Sequence, residues 1–133
     1  MKLKLEKNRK EYWDFIRLLR SDERVQDGFI EESNISIKEQ ATYMNEYNNN
    51  YYVCLCDNIP CGFIGEINGD IRLCTSPEHQ GKGIGSFMIR EITKIRPNIF
   101  AKVKIENTSS LRAFEKAGYV KKYYLLEPQE NNN

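Results

Sequence analysis

The sequence lacks any long hydrophobic run. No uninterrupted apolar segment approaches the roughly 18 residues of a membrane-spanning helix, so we expect no membrane protein and no membrane partner. The amino terminus, residues 1–6, alternates leucine with charged residues and lacks the apolar stretch of a signal peptide. We therefore expect a cytoplasmic protein.

The sequence also lacks an excess of either charge, because 20 basic and 19 acidic residues leave a net charge of +1. Proteins whose main task is to bind phosphate backbones usually carry a strong basic excess, since lysines and arginines displace the counterions there. We therefore expect no nucleic-acid partner. With 133 residues, of which 40% are hydrophobic and 29% charged, the chain is typical of one soluble globular domain.

The four cysteines lack the spacing of a metal site. Cys54, Cys56, Cys61 and Cys74 lie in apolar, strand-like stretches, and no CxxC pair occurs among them. We therefore expect reduced cysteines in core or strand positions and no bound metal.

Hydrophobic spacing predicts helices and strands in the order β, α, α, β, β, β, α, β, α, β. The predicted strands cover residues 3–5, 51–56, 61–67, 71–75, 99–105 and 119–126. The first predicted helix ends near Arg20, the second begins at a capping box of Ser36 and Glu39, and the others cover 84–95 and 110–117. A meander followed by βαβαβ segments is typical of an α/β domain with a mixed sheet flanked by helices.

Residues 80–85, Gln-Gly-Lys-Gly-Ile-Gly, follow a predicted strand and open a predicted helix. Glycines permit left-handed dihedrals and close backbone approach, and the free amides at a helix start converge on an anion. The stretch therefore predicts a phosphate or pyrophosphate site. A P-loop is excluded because no Gly-Lys-Ser/Thr ends a GxxxxG frame, and a dinucleotide fingerprint is excluded because position 88 is Met88.

The run from Thr75 to Gly85 resembles the strand, loop and helix of the GCN5-related N-acetyltransferase (GNAT) superfamily, with Gln80, Gly83 and Gly85 matching its Gln-x-x-Gly-x-Gly loop. Residues 106–119 are similar to the superfamily's asparagine-led helix, which ends in aromatic, Glu, Lys, x, Gly, aromatic. Two motifs in the right order make the match specific. The resemblance implies one acyl-CoA N-acyltransferase domain over residues 1–127, and we expect residues 128–133 to be a disordered tail or the start of a linker.

The resemblance also implies acetyl-CoA as the acetyl donor, with its pantetheine arm lying between two splayed strands. The backbone that would pair with this arm belongs to Leu73, Cys74 and Thr75. The residues that would hold the pyrophosphate are Gln80, Gly81, Lys82, Gly83, Ile84, Gly85 and Ser86. The far wall would be lined by Asn107, Ser110, Phe114 and Lys116. Lys82 is equally compatible with a solvated side chain, and we expect His79 to be a surface residue instead of a general base.

The implied chemistry is attack of a neutral amine on a thioester, so a base must take the amine's proton and a backbone amide must meet the oxyanion. Asp70 is the first candidate base and Glu66 the second, with Arg72 expected to bind an anionic acceptor. A turn aspartate paired with a nearby arginine is an equally open interpretation. Phe114 stands where many relatives have a tyrosine and cannot protonate a thiolate, so no general acid is assigned. Cys74 is disfavoured as an acyl-carrying nucleophile, because nothing adjacent would clearly activate it.

In this superfamily the first two helices build most of the acceptor pocket, here residues 17–50. Its candidate binding residues are Arg17, Arg20, Arg24, Tyr43 and Tyr47. Arginines in a cleft suit a phosphorylated acceptor, although a solvated helix face explains them equally well. Residues 17–30 and 121–127 are similar to small superfamily members that acetylate amino sugars in surface-polysaccharide biosynthesis.

This similarity favours a nucleotide-activated amino-deoxy sugar as the small-molecule acceptor, such as a UDP- or dTDP-linked 4-amino-4,6-dideoxyhexose. Acetylation of a protein lysine or amino terminus stays open, as does a non-catalytic acyl-CoA-binding domain. The sequence predicts one strand after the last helix, where the superfamily often has two. The sheet edge left uncovered predicts a homodimer or a further carboxy-terminal domain.

Overall fold

The computed structural model describes residues 1–30 and 35–130. The strands are β1 Leu3–Lys7, β2 Tyr51–Cys56, β3 Ile59–Ile67 and β4 Asp70–Thr75. The helices are α1 Trp13–Arg20, α2 Glu23–Gln26, α3 Ile37–Tyr47, α4 Ile84–Ile95 and α5 Thr108–Lys116. Short 3₁₀ turns occupy residues 10–12, 48–50 and 77–79. None of the helices in the described part of the chain is long and apolar enough to cross a membrane.

The strands form an antiparallel sheet in the order β1-β2-β3-β4. Each hairpin turn has two residues at positive φ, namely Asp57 (49°) with Asn58 (70°) and Asn68 (53°) with Gly69 (87°). Asparagine, aspartate and glycine tolerate this conformation, which matches the twist of a tight hairpin. The predicted meander is therefore confirmed, and its turns are fixed by local chemistry.

Two hydrophobic cores lie on opposite faces of the sheet. Val53 and Phe63 pack in one core with α1, α2 and α3, whereas Cys54 and Ile64 pack in the other with α4 and α5. Every residue of β2 is buried, because alternate side chains enter alternate cores. The apolar spacing that predicts α1 and α4 reflects one buried stripe on each helix.

The predicted second helix is confirmed as α3, with the capping box of Ser36 and Glu39 in place. Hydrophobic spacing does not reveal α2, which has only four residues. Its start is set by Asp22, whose side chain accepts a hydrogen bond from the amide of Arg24 (2.9 Å). Such a short helix carries too little apolar periodicity to be detected.

Two predicted strands are wrong. Within the described ranges, the backbone of residues 99–105 bonds to the sheet only at Phe100, whose amide donates to Gly69 (2.8 Å) and whose carbonyl accepts from Ile71 (2.9 Å), in one parallel bridge. Residues 119–126 form no strand, and 120–126 are exposed. Apart from that bridge, neither segment pairs with a strand within the described ranges, and a strand needs such a neighbour. Of the predicted tail, 131–133 lie outside the described residues, as do 31–34 of the predicted acceptor segment.

Candidate active site

A gap opens beside β4 after the bridge to Phe100. On one side of β4, the amide of Ile71 donates to the carbonyl of Phe100 (2.9 Å). On the other side, the amide of Ser76 donates to the carbonyl of Cys61, near the start of β3 (2.8 Å). Because backbone groups alternate sides along a strand, the amides and carbonyls of Leu73 and Thr75 face the gap. An extended ligand chain could bond there as a strand does. The backbone of Cys74, the third residue expected to pair with such a ligand, is directed instead towards β3.

After β4, residues 80–85 form a glycine-rich loop with open space beside its backbone. We call this loop and the amides at the start of α4 the glycine cradle. Gly81 (φ 78°) and Gly83 (φ 79°) are left-handed, and an added Cβ at either position would meet nothing within 4 Å. Gly83 is the N-cap of α4, and Phe87 is the first helix residue whose amide bonds back to it (3.1 Å). The amides of residues 84–86 therefore precede the hydrogen-bonded ladder at the positive end of the helix dipole. Space, free amides and positive potential together fit a phosphate group.

Gly85 lies where α4 meets α5 and β4. A Cβ built there would stand 3.5 Å from the Cβ of Ala113 and 3.9 Å from Oγ1 of Thr75. Around it, the predicted phosphate-binding side chains Gln80 and Lys82 are exposed on the loop. The cradle is thus formed by the backbone, and its predicted side chains are free to reach a ligand.

A strap of residues 27–28 contacts the far wall through its backbone carbonyls. Asn107 donates from Nδ2 to the carbonyl of Gly28 (3.3 Å), and Lys104 donates from Nζ to the carbonyl of Asp27 (3.0 Å). The Asn107 side chain also caps α5 by accepting from the amide of Ser110 (3.1 Å). The predicted far-wall residues Asn107 and Ser110 therefore join the wall to the strap.

Neither Phe114 of the far wall nor the neighbouring Tyr119 offers a free hydroxyl to a leaving thiolate. Phe114 is buried, and its ring lies edge-on to that of Tyr119, with centroids 5.3 Å apart. The Tyr119 hydroxyl is 2.7 Å from Oγ1 of Thr93, so it is directed towards α4. Lys116, also predicted for this wall, is exposed at the end of α5.

The two candidate bases differ in how their oxygens are used. Glu66 is buried, ion-paired with Arg96 (2.5 Å) and hydrogen-bonded by the amide of Gly69 (2.8 Å). Asp70 has only longer ion pairs, 3.8 Å to Arg72 and 3.6 Å to Lys102. No hydrogen bond occupies its oxygens among the described residues. Asp70 is therefore better placed to accept a proton.

Glu66→Gln is expected to lower stability by about 2 kcal/mol, because it replaces a charged hydrogen-bond acceptor facing Arg96 with a neutral one. This corresponds to a fall of roughly 6–10 °C in the melting temperature, measurable by calorimetry. Turnover per folded molecule should change less than threefold. A large loss of turnover with an unchanged melting temperature would assign Glu66 to the chemistry instead.

The predicted acceptor arginines have different surroundings. Arg24 pairs with Asp22 (2.7 Å) and with Glu78 in the turn after β4 (3.2 Å), so it fastens α2 to that turn. The hydrogen bond from Arg24 is the main cause of a lowered pKa at Asp22. Arg17 pairs with Asp14 one turn earlier in α1 (2.9 Å). Neither guanidinium is free of internal partners.

Arg20, Tyr43, Tyr51 and Arg72 come together on the α1–α3 side of the sheet. The hydroxyls of Tyr43 and Tyr51 are 2.8 Å apart, and the Arg20 guanidinium lies 5.4 Å from the centre of the Tyr43 ring. Burial raises the pKa of Tyr51, while the charges of Arg20 and Arg72 oppose that rise. Nη1 of Arg20 is buried without a hydrogen-bond partner in residues 1–30 and 35–130. This four-residue group, the arginine-tyrosine cluster, is suited to an anion.

The structure adds Tyr51 to the candidate site, whereas the sequence indicates it only as a strand residue at the start of β2, after the turn that follows α3. His79, expected at the surface, is half-buried, and its Nδ1 has no hydrogen-bond partner in the described ranges. Burial raises the pKa of Cys74 to about 12, so its thiol is protonated at neutral pH and ill suited to nucleophilic attack.

Comparison with known proteins gives a family match and several similar structures. Residues 47–121 match a family model described as an acetyltransferase (GNAT) domain. A search of curated protein sequences finds no match.

Three solved structures illustrate the structural likeness. A Vibrio cholerae spermidine N-acetyltransferase in complex with CoA and spermine is 24% identical, with a TM-score of 0.79 over 98% of this chain and 88% of that one. A Bacillus anthracis acetyltransferase of the GNAT family is 20% identical, with a TM-score of 0.70 over 89% and 80%. An aminoglycoside acetyltransferase in complex with coenzyme A is 14% identical, with a TM-score of 0.72 over 91% and 86%. These likenesses confirm the predicted fold class.

Proposed function

The chain belongs to the GNAT acetyltransferase family, and from this premise we propose that it transfers the acetyl group of acetyl-CoA directly to a small primary amine. One observation carries the proposal: β4 presents the backbone groups of Leu73 and Thr75 to a gap that ends at the glycine cradle of α4. A ligand with an extended amide-bearing arm and a pyrophosphate has the chemistry that this arrangement would bind. Acetyl-CoA is such a ligand.

The reaction needs an unprotonated amine, since an ammonium group has no lone pair for attack. We assign Asp70 as the group that takes the proton, because its oxygens are held only by long ion pairs. The amine nitrogen then bonds to the thioester carbon while the carbon–sulfur bond breaks and the thiolate leaves. Amides facing the gap are the donors available to the carbonyl oxygen. The thiolate takes its proton from solvent, since Phe114 has no hydroxyl and that of Tyr119 contacts Thr93.

The finer proposal concerns the acceptor, which we expect to carry a phosphate near its amine. Within residues 1–30 and 35–130, Arg20 and Arg72 are charged groups of the arginine-tyrosine cluster without a close ion pair, the nearest being 3.8 Å from Arg72 to Asp70. Such a cluster favours an anion and disfavours a polycation such as the spermine in the Vibrio cholerae structure. This supports a nucleotide-activated amino-deoxy sugar. A cytoplasmic location also stays a prediction.

The acceptor is tested by measuring free-thiol release from acetyl-CoA with three sets of amines. The sets are UDP- and dTDP-linked amino-deoxy sugars, polyamines with aminoglycosides, and lysine peptides. Release with the nucleotide sugars alone supports the proposal. Release with polyamines or peptides alone contradicts it. No release with any set, together with a melting temperature raised by acetyl-CoA, would indicate a binding domain without catalysis.

Arg72→Met is expected to raise the KM for a phosphorylated acceptor roughly 10- to 100-fold, because one charged hydrogen bond to the phosphate is lost. The KM for acetyl-CoA should stay within twofold. The matched control is Arg90→Met, which removes an exposed arginine of α4. Steady-state kinetics with both substrates varied separates the two constants. Equal effects of the two variants on acceptor KM would remove Arg72 from the acceptor site.

A further inference from the structure

Lys102 places a primary amine beside the group that we assign as the base. Its Nζ lies 3.6 Å from Oδ2 of Asp70, and Arg72 approaches the same oxygen at 3.8 Å. No other lysine within residues 1–30 and 35–130 is ion-paired with a candidate base. A guanidinium stays protonated, so Arg72 cannot act as an acceptor amine. Lys102 can pass a proton to Asp70 after a small approach, since catalytic contacts are often long before a ligand binds.

The backbone of residues 99–105 holds Lys102 on the α1–α3 side of the sheet. Alternate residues of this segment pack against the core that contains α4 and α5, namely Ile99, Ala101 and Val103. Because side chains alternate along an extended chain, Lys102 points to the opposite side. On β4, Cys74 packs in the core of α1, α2 and α3, so Asp70 and Arg72, at even spacing from it, lie on that side as well. The amine, the base and the arginine-tyrosine cluster therefore share one side of the gap.

The acetyl group of a bound acetyl-CoA would lie close to Lys102. Its pyrophosphate fits the glycine cradle, which follows the end of β4. From there the arm would run back along β4 to the narrow end of the gap, where Phe100 bridges to Asp70 in parallel orientation. Two residues on from this bridge, Lys102 is level with Arg72 and next to the level of Leu73. The lysine amine and the thioester would thus meet at the narrow end of the gap.

Lys102 is also free to move towards a thioester. Its side chain is 48% exposed, and a long ion pair between partly exposed groups is weak. The flexible four-carbon stem of lysine lets the amine swing away from Asp70. By contrast, Lys104, two residues further on, donates from Nζ to the carbonyl of Asp27 (3.0 Å). Lys82 lies on the glycine loop, at the pyrophosphate end of the expected ligand.

We infer that Lys102 is a self-acetylation site, and this inference rests on the proposed function. Asp70 takes one proton from the Lys102 ammonium, and the freed nitrogen attacks the thioester carbon. A carbon–nitrogen bond forms, the nitrogen loses its second proton to solvent, and the carbon–sulfur bond breaks. The CoA thiolate leaves and takes a proton from solvent. Because both reactants are held in one site, the amine has a high effective concentration.

The product is a stable amide and not an intermediate of acetyl transfer. An acetamide is a poor acyl donor, so the acetyl group stays on Lys102 and each chain is modified once. Acetylation also removes the lysine charge. Arg72 is then the one remaining cation paired with Asp70 among the described residues.

Peptide mass spectrometry tests the inference. The chain is incubated at neutral pH with acetyl-CoA that carries a deuterated acetyl group, and the label is measured at every lysine. Lys102 should be labelled at least about tenfold faster than Lys104. The fraction labelled per unit time should stay constant over a roughly 20-fold range of protein concentration, because transfer within one chain is first order.

Three variants identify the acceptor and the base. The wild-type chain should gain about one acetyl group, whereas K102R, which keeps the charge without a nucleophilic amine, should gain almost none. K104R is the matched control, because it makes the same change two residues away, and it should keep the label at Lys102. D70N should slow labelling of Lys102 roughly 100-fold, without slowing background labelling of the exposed Lys94. Circular dichroism checks that each variant is folded.

Free-thiol release with small amines, measured on the same samples, separates this inference from the proposed function. Release with amines but no label at Lys102 overturns the inference and leaves the proposed function standing. Label at Lys102 without release supports the inference and contradicts the small-amine acceptor. Neither label nor release overturns both. Equal labelling of Lys102 and Lys104, or labelling that D70N does not slow, indicates uncatalysed acetylation and also overturns the inference.

Discussion

Gly83→Val is expected to weaken acetyl-CoA binding on the order of 100-fold and to stop detectable turnover. Gly83 has a φ of 79°, and the space beside it contains no protein atom within 4 Å. A valine side chain would occupy that space, which is where a pyrophosphate must approach the amides of residues 84–86. Losing one or two charged hydrogen bonds costs about 3 kcal/mol, and each tenfold change in affinity is about 1.4 kcal/mol.

The control for this variant must carry the same backbone strain. Gly118→Val provides it, because Gly118 also has a positive φ (93°) and open space around it, but lies after α5. Valine in the left-handed region costs roughly 1–2 kcal/mol of stability at either position. The two variants should therefore have similar melting temperatures. Isothermal titration should show weaker acetyl-CoA binding by Gly83→Val than by Gly118→Val. Equal affinities for acetyl-CoA in both would refute the assignment of the cradle.

Asp70→Asn is expected to lower kcat roughly 100-fold or more at neutral pH, with less than a threefold change in acetyl-CoA affinity. Asparagine keeps the shape of the side chain but cannot take up the amine's proton, and general base catalysis typically contributes that much. The wild-type rate should fall as the pH is lowered, because the amine becomes protonated and loses the lone pair needed for attack.

Glu66→Gln is the comparison variant, because it makes the same chemical change in a carboxylate of the same hairpin. We expect Glu66→Gln to lower the melting temperature and Asp70→Asn to lower kcat. Rapid-quench measurement of a single turnover excludes product release as the affected step. An Asp70→Asn enzyme with a wild-type rate would leave a water chain as the route for the proton.

The elements that sequence predicts correctly are those fixed within a few residues. The meander follows from turn residues such as Asn68 and Gly69, which adopt positive φ with little backbone strain. Helix α4 follows from its apolar stripe and α3 from its capping box. The conformation of the glycine loop follows from Gly81 and Gly83, whose backbone adopts positive φ without strain and without a side chain to fill the space beside it.

The elements that sequence predicts wrongly depend on a distant neighbour. Residues 99–105 have the alternation of a strand, yet in the described ranges their backbone pairs with β4 only at Phe100, before the gap opens. Residues 119–126 have the composition of a strand but no partner among the described residues. The composition of a segment indicates how well it would fit a sheet, but the segment becomes a strand only when another strand lies beside it.

The sequence by itself determined the family, the glycine cradle and the four-stranded meander, because each rests on local backbone chemistry or on a contiguous motif. Only the tertiary structure decided which charged groups are free to act. Glu66 is ion-paired with Arg96, 30 positions away along the chain, and Arg24 is ion-paired with Glu78. Glu66 and Arg24 are therefore held by internal ion pairs. Asp70 and Arg72 keep longer and weaker pairs. Such pairings join residues far apart in sequence, and no local pattern encodes them.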